Sequence, residues 1–270
     1  MVTMTMDYAH AMSSAGMQTR ADHEFAVETV IASMRADVGY PYTLDIFAEM
    51  ANYSPYHFAR MFRNAIGIPP GEFLAALRFE RAKELILRTD HSITDICFDV
   101  GFSSLGTFSS RFKHLVGVSP NDLRAMPEWL AARLPELANP EPVKPPGDGM
   151  KMSGTVTSPV PARGHLYIGL FPAAIPQSKP ISGTRTAGPG PFALHDIPPG
   201  AYRLMAALFP ESTDPLVHLL PGSSLLGGVD PRPVVAIPHT SHRELHIHLR
   251  PLAPTDPPIL TALALMALSL

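Results

Sequence analysis

The stretch that decides the fold is Ile93–Pro120, ITDICFDVGFSSLGTFSSRFKHLVGVSP. Ile93, Ile96, Cys97 and Val100 follow the i, i+3, i+4, i+7 spacing of a short helix with one buried stripe. Gly101 and Phe102 then make a turn, Ser104 is suited to cap a second helix, and Phe108 and Phe112 give that helix its own apolar face. An earlier stretch reads the same way. Leu44, Phe47, Ala48 and Ala51 carry the stripe of a short helix, Asn52 and Tyr53 turn, Ser54 caps, and Pro55 suits the first helical position. Phe58 and Phe62 precede Phe108 and Phe112 by an offset of 50, and Gly67-Ile68-Pro69-Pro70 becomes Gly117-Val118-Ser119-Pro120. One helix-turn-helix unit is therefore present twice.

Between the two units Pro70 opens a helix that runs to about Arg88. Its apolar side carries Phe73, Leu77, Leu85 and Ile86, and the pattern puts Arg78, Glu80, Arg81, Lys83 and Glu84 in solvent. At about 1.5 Å per residue this helix spans nearly 30 Å, close to the roughly 34 Å between major-groove faces one DNA turn apart. Upstream, Phe25, Val30, Ile31 and Met34 predict a helix that stops around Gly39 and Pro41, while residues 1–22 read as a loose terminus without periodicity.

Residues 24–126 resemble the DNA-binding domain of the AraC/XylS family of transcription regulators. The resemblance is carried by Leu77–Lys83 (LRFERAK), by Ile93–Phe102 (ITDICFDVGF), by Phe108 through Phe112 with Lys113, and by Gly117 with Ser119-Pro120. It implies seven helices, two of which enter successive major grooves of double-stranded DNA. On each of those two helices the phenylalanines define the buried face, which leaves the N-terminal and opposite positions for base edges. In the first unit these are Tyr56, Ala59 and Arg60, with Arg63 a turn further along. Arg60 is the best base reader, because its guanidinium fork matches O6 and N7 of guanine; Arg63 and its repeat Lys113 suit phosphate. The second unit offers Leu105, Gly106, Thr107 and Ser110, small or apolar, suited to a thymine methyl or to anchoring on phosphate. The family often has a basic residue where Ser110 stands; here Arg111 is displaced by one position.

The chain has 270 residues, 46% hydrophobic and 17% charged, which excludes a disordered protein. Of its 30 prolines, 7 lie before residue 136 and 23 after it; 10 of the 13 phenylalanines lie before it. The net charge of −3, and 10 basic against 12 acidic side chains over residues 24–126, give no global attraction to a polyanion, so DNA contact must rest on a few residues. A lone cysteine, Cys97, on the buried stripe reads as a small core residue. With one cysteine and no leader pattern the cytoplasm is the expected compartment. The longest apolar run, Ile259–Leu270, is 12 residues, shorter than the roughly 20 of a membrane span, and reads as a surface that packs on this chain or a second copy.

In the second half, proline-bounded strands are expected at Lys151–Thr157, Gly164–Phe171, Phe192–Ile197, Ala201–Phe209, Val234–Ile237 and Glu244–Arg250. Short strands with proline-laden turns predict a β-sandwich. The stretch from Gly190 to Leu204 resembles the strand-turn-strand of carboxypeptidase-regulatory or transthyretin-like sandwiches, which implies that Phe192 and Leu194 point inward. His239, His242, His246 and His248 are the candidates for a metal, weighed against a solvated strand face, which is favoured because no cysteine or carboxylate cluster completes a ligand set.

The expected fold class is thus multidomain α + β, an N-terminal all-α double helix-turn-helix domain of seven helices and a C-terminal all-β sandwich. The divisions are 1–22 (flexible), 23–130 (DNA-binding), 131–150 (proline-rich linker), 151–252 (sandwich) and 253–270 (apolar tail). The expected function is sequence-specific, non-enzymatic regulation of transcription, as activator or repressor, with the sandwich for sensing, dimerisation or partner contact. RNA polymerase, a second copy through the C-terminal half and a small-molecule effector are the further partners this reading admits; no cofactor and no membrane are expected. The alternative is a module that captures a protein or ligand through the sandwich.

Overall fold

The computed structural model describes residues 3–134, 149–220, 226–230, 232–238 and 244–262, with side chains described from residue 20 onward. Seven helices form the first part: α1 (Thr3–Ala36), α2 (Leu44–Met50), α3 (Pro55–Ile66), α4 (Pro70–Arg88), α5 (Ile93–Asp99), α6 (Leu105–Val116) and α7 (Pro120–Ala131). The two units start and stop by the same chemistry. Ser54 Oγ accepts from His57 N and Ser104 Oγ from Thr107 N, each at 3.4 Å. Gly67 and Gly117 end α3 and α6 with φ of 90° and 97°, a left-handed turn that a side chain would strain.

α4 is the spine shared by both units. Its Phe73 meets Phe62 of the first unit at 5.7 Å between ring centroids. Six residues later, Phe79 meets Phe102, Phe108 and Phe112 of the second at 4.9, 5.9 and 6.2 Å. All of these rings except Phe102 are fully buried, so the two units hang from one helix through a continuous apolar core.

The second part has β1 (Met150–Thr157), β2 (Gly164–Phe171), β3 (Ser182–Thr186), β4 (Gly190–Ile197), β5 (Gly200–Pro210), α8 (Pro215–Leu219), β6 (Leu226–Val229), β7 (Val234–Ala236), β8 (Leu245–His248) and β9 (Arg250–Pro251). One sheet is ordered β4-β1-β8, with β1 antiparallel to β4 and parallel to β8; the other runs β3-β2-β5-β6-β9, with β7 on the start of β5. Inward residues of both sheets share one core: Met152, Val156, Leu194 and Ile247 from the first meet Leu166, Ile168, Leu204 and Leu208 from the second. Phe192 and Leu194 point into it, 6% and 0% exposed.

The other face of the larger sheet is covered as well. Tyr167, Ala207 and Phe209 pack against Ile259, and the chain from Ile259 to Ala262 continues into the helical core. Lys83 Nζ donates to Ile259 O at 3.1 Å, and Arg35 Nε donates to Pro254 O at 2.9 Å. Among the described residues, no helix is long and apolar enough to cross a membrane.

Several expectations differ from what is observed. The backbone is helical from Thr3, through residues that lack an apolar stripe and read as a loose terminus. Phe25 is 72% exposed, because the buried stripe of α1 is phased on Val27, Val30, Ile31 and Met34. Lys83 is not solvated but 1% exposed, since the chain around Ile259 lies over that side of α4. Strands β3 (SGTRT) and β6 (LGGV) carry no alternating apolar pattern, and α8 puts a short helix into the part read as all-β. The final strand is broken at Leu249 into β8 and β9, which join different sheets.

Candidate nucleic-acid interface

α3 and α6 are the second helices of their units, and each buries one face: Phe58, Met61 and Phe62 on α3, Phe108, Phe112 and Val116 on α6. The residues left over are largely those expected at DNA. On α3, Tyr56 is 79% exposed at the N-terminus, Arg60 and Arg63 are exposed, and Ala59 is half-buried between them. On α6, Leu105, Gly106, Thr107, Ser110 and Lys113 are exposed. Arg111 is exposed too, but its guanidinium leans over the Phe79 ring at 5.7 Å, so part of its reach is committed to the core edge.

The charge balance resolves by position. Neither α3 nor α6 contains an Asp or Glu, whereas Asp45, Glu49, Asp95 and Asp99 sit on the first helices of the units. Three of the basic residues in the helical part are structural. Arg78 donates to Val38 O and Tyr40 O at 2.8 and 2.9 Å, fixing the turn after α1. Arg124 Nη2 donates to His91 O at 2.6 Å, tying α7 to the turn between α4 and α5. Lys83 is buried, and desolvation pushes its ammonium down to about 8. Arg60, Arg63 and Lys113 are thus the cations that the second helices offer outward.

Sequence reasoning missed a groove that α1 forms with α3. His23 packs edge-on to Tyr53 and to His57, both at 5.6 Å, and Tyr53 stacks on His57 at 5.1 Å. Arg20, His23, His57, Arg60 and Asn64 line one groove between α1 and α3, where Glu24 is engaged by Arg20 at 3.0 Å. No sequence pattern marks these residues, since a groove between two helices depends on their crossing.

A strap runs behind both second helices. After β2, Ala174 lies against Gly67 at the end of α3. Further on, Ser178 N donates to Leu115 O at 2.7 Å, and Ser178 Oγ bonds His114 O at the end of α6. Ala262 N adds a bond to Val116 O at 3.2 Å. The sheets therefore grip the C-terminal ends of both helices and leave their N-terminal halves open.

Of the four candidate metal histidines, two are described. His246 and His248 share the exposed face of β8; His246 Nε2 lies 3.9 Å from Glu244 and His248 Nδ1 is 3.0 Å from Thr157 Oγ1. Among the described residues no group of three or more His, Cys, Asp or Glu side chains could hold a metal, and His239 and His242 lie outside those residues.

A family model described as "Helix-turn-helix domain" matches residues 47–126. Regulatory protein SoxS of Salmonella typhimurium (strain LT2) is 29% identical over 102 residues, 38% of this chain and 95% of SoxS. Right origin-binding protein of Escherichia coli (strain K12) is 29% identical over 126 residues, 44% of each chain. A crystal structure of a transcriptional regulator with an AraC-type DNA-binding domain from Chromobacterium violaceum aligns over 41% of this chain and 94% of that one, at 29% identity and a TM-score of 0.36. This chain spans less than half the length of the first curated relatives it matches. The helical half of the chain thus carries a helix-turn-helix domain over residues 47–126 and is similar in sequence to regulators such as SoxS.

Proposed function

We propose that the protein is a sequence-specific DNA-binding regulator of transcription that lays α3 and α6 into successive major grooves, with the two-sheet part serving sensing, dimerisation or partner contact. The observation that carries this reading is the pair of equivalent helices, both free of acidic residues and open at their N-terminal halves, on one shared spine. Relatives named as a regulator and as an origin-binding protein match in this same helical half, which supports DNA as the common partner. Arg60 is assigned to base edges, Arg63 and Lys113 to phosphates, Tyr56 and Thr107 to the groove wall, and Leu105, Gly106 and Ser110 to close, weakly polar approach. Arg111 is given a lesser role because Phe79 holds it.

A gel shift on the DNA upstream of the protein's own gene tests this. Binding is expected to survive an excess of random duplex; equal competition by random duplex overturns the proposal. Arg60→Ala is expected to lower discrimination between cognate and single-base-changed sites by about 1 to 3 kcal/mol. Arg63→Ala should instead weaken all duplexes alike and reduce the slope of log K against log salt by about one.

A further inference from the structure

The side of the larger sheet that faces the helices holds a cleft of about 750 Å³, lined among the described residues by Leu134, His165, Arg185, Thr186, Glu211 and His218, with smaller residues between them. Four elements meet here: the end of the α7 segment, β2, β3 and α8. The wall is cationic. His165 and His218 lie ring to ring at 5.4 Å, and Arg185 stands beside Tyr167 on the strand adjoining β2. Glu211, exposed at the rim, is the acidic residue among those lining the cleft.

The polar capacity of this wall is unfilled. His218 is 2% exposed, and its Nε2 lies 3.0 Å from Ser212 O, which can only accept; Nε2 therefore carries the proton and Nδ1 is the free ring nitrogen. That Nδ1 has no hydrogen-bond partner, whereas the Arg185 guanidinium lies against the Tyr167 hydroxyl, with its buried Nη1 short of a well-formed bond. Unpaired polar atoms in a buried wall are destabilising until something satisfies them. A water could fill such a space, but it would not answer the positive charge. That charge is felt locally: burial, and after it the proximity of His218 and Arg185, hold the His165 imidazole below its ordinary value, against the smaller opposing pull of Glu211. The guanidinium also makes a metal cation a poor occupant of the same wall.

We infer that this cleft binds a small organic anion through a carboxylate or phosphate group, with the Arg185 guanidinium as the oxyanion contact and the His165 and His218 imidazoles as the wall beside it. The volume exceeds what a bare ion fills and lies within the range of small-molecule sites. An anion in the cleft is held more tightly when the His165 imidazole beside it carries a proton, so binding takes up protons. Affinity is therefore expected to rise on acidification from pH 8 to pH 6, where that imidazole is nearer protonation and a carboxylate of ordinary acidity stays ionised. The cleft is also placed to be felt at the DNA side, because Arg185 and Thr186 follow directly on the strap that touches the ends of α3 and α6. This site deepens the sensing role proposed above and rests on that reading for its biological meaning, but not for its detection.

The test is direct titration of the full chain, without DNA, by thermal shift and calorimetry at pH 6 and pH 8. The probes are succinate and inorganic phosphate, with sodium chloride at matched ionic strength as control. Saturable binding of succinate or phosphate, at least several-fold tighter at pH 6, is expected; the stronger of the two identifies the anion class. Arg185→Gln should reduce affinity at least tenfold, and His165→Gln should flatten the pH dependence while the protein stays folded. Lys151→Gln, on the exposed face of β1 and outside the cleft, should bind as the parent does. Shifts equal to those with chloride overturn the inference, as do shifts untouched by Arg185→Gln, or zinc binding with no anion binding. Failure of the gel shift with a positive titration would sink the regulator reading and leave this site standing; the reverse would do the opposite.

Discussion

Phe79→Ala is expected to lower the unfolding free energy by about 3 to 5 kcal/mol, the range for removing a large aromatic from a packed core. Its ring is fully buried and touches three other phenylalanine rings, two of them on α6. Truncation removes their common partner and opens a cavity between α4 and the second unit that no neighbouring side chain can collapse into without leaving its rotamer. Arg111 also loses the ring it leans on. The first unit keeps its own link to α4 through Phe73 and Phe62, so the damage should be asymmetric. Urea unfolding of the full chain should show the lower stability, and footprinting should show protection fading over the half-site of α6 before that of α3. A loss under about 1 kcal/mol, or an even loss of protection over both half-sites, would contradict the place given to Phe79. Phe79→Leu, which keeps most of the volume, is expected to lose roughly half as much.

Much of the helical half was legible because its signals are local. Serine caps, proline at first helical positions and glycine at helix ends each depend on a few neighbouring residues, and the duplication states them twice. What escaped was fixed by distant packing. The phase of α1 turns on what Val27 and Ile31 touch, and one residue of ambiguity sufficed to put Phe25 on the wrong face. Lys83 sits in a charged run, and only the later chain at Ile259 takes it out of water. In the sheets, β1, β2, β4 and β5 announce themselves by apolar alternation or apolar runs. β3 (SGTRT) and β6 (LGGV) carry no apolar alternation and are strands because β2 and β5 offer them hydrogen bonds, which is a property of the partner.

The interface followed the same division. Once the phenylalanine face of α3 and α6 is known, the outward residues follow by geometry, so Arg60, Arg63 and Lys113 could be read from spacing. That Arg78 and Arg124 spend their donors on backbone carbonyls could not, because those carbonyls lie 33 to 40 residues away, in the connections between helices and at the end of α4. The anion cleft was equally silent. His165, Arg185 and His218 come from three elements, and β3 and α8, which supply two of them, were the elements without a pattern.

Raising the pH from about 8 towards 10 is expected to stabilise the protein, contrary to the usual decline in alkali. Lys83 is the reason. Its ammonium is 1% exposed, and burial, against the weaker attraction of Glu80, brings it from 10.5 to about 8. Between those values the unfolded chain holds a proton that the folded chain has released, so the unfolded state binds more protons and stability rises with pH. The full displacement is worth up to about 3 kcal/mol at ~1.4 kcal/mol per pKa unit, complete only above the unfolded value. Tyr167 opposes it at the upper end. Burial pushes its phenol to about 12, so above its ordinary value of 10.0 the unfolded state loses a proton that the folded state keeps, and stability falls. The buried Cys97 thiol, held above its ordinary 9.0, opposes it in the same way from about pH 9, so the rise is steepest between pH 8 and 9. Urea unfolding at pH 7, 8, 9 and 10 should therefore show the parent gaining stability relative to Lys83→Met, which has no such amine to titrate. The sign of the Met variant's own stability at pH 7 does not enter, because it combines relief of a buried charge with loss of the donor to Ile259 O. A parent that gains nothing relative to Lys83→Met from pH 8 to 10 would mean that Lys83 is hydrated, and that the chain at Ile259 does not close over α4.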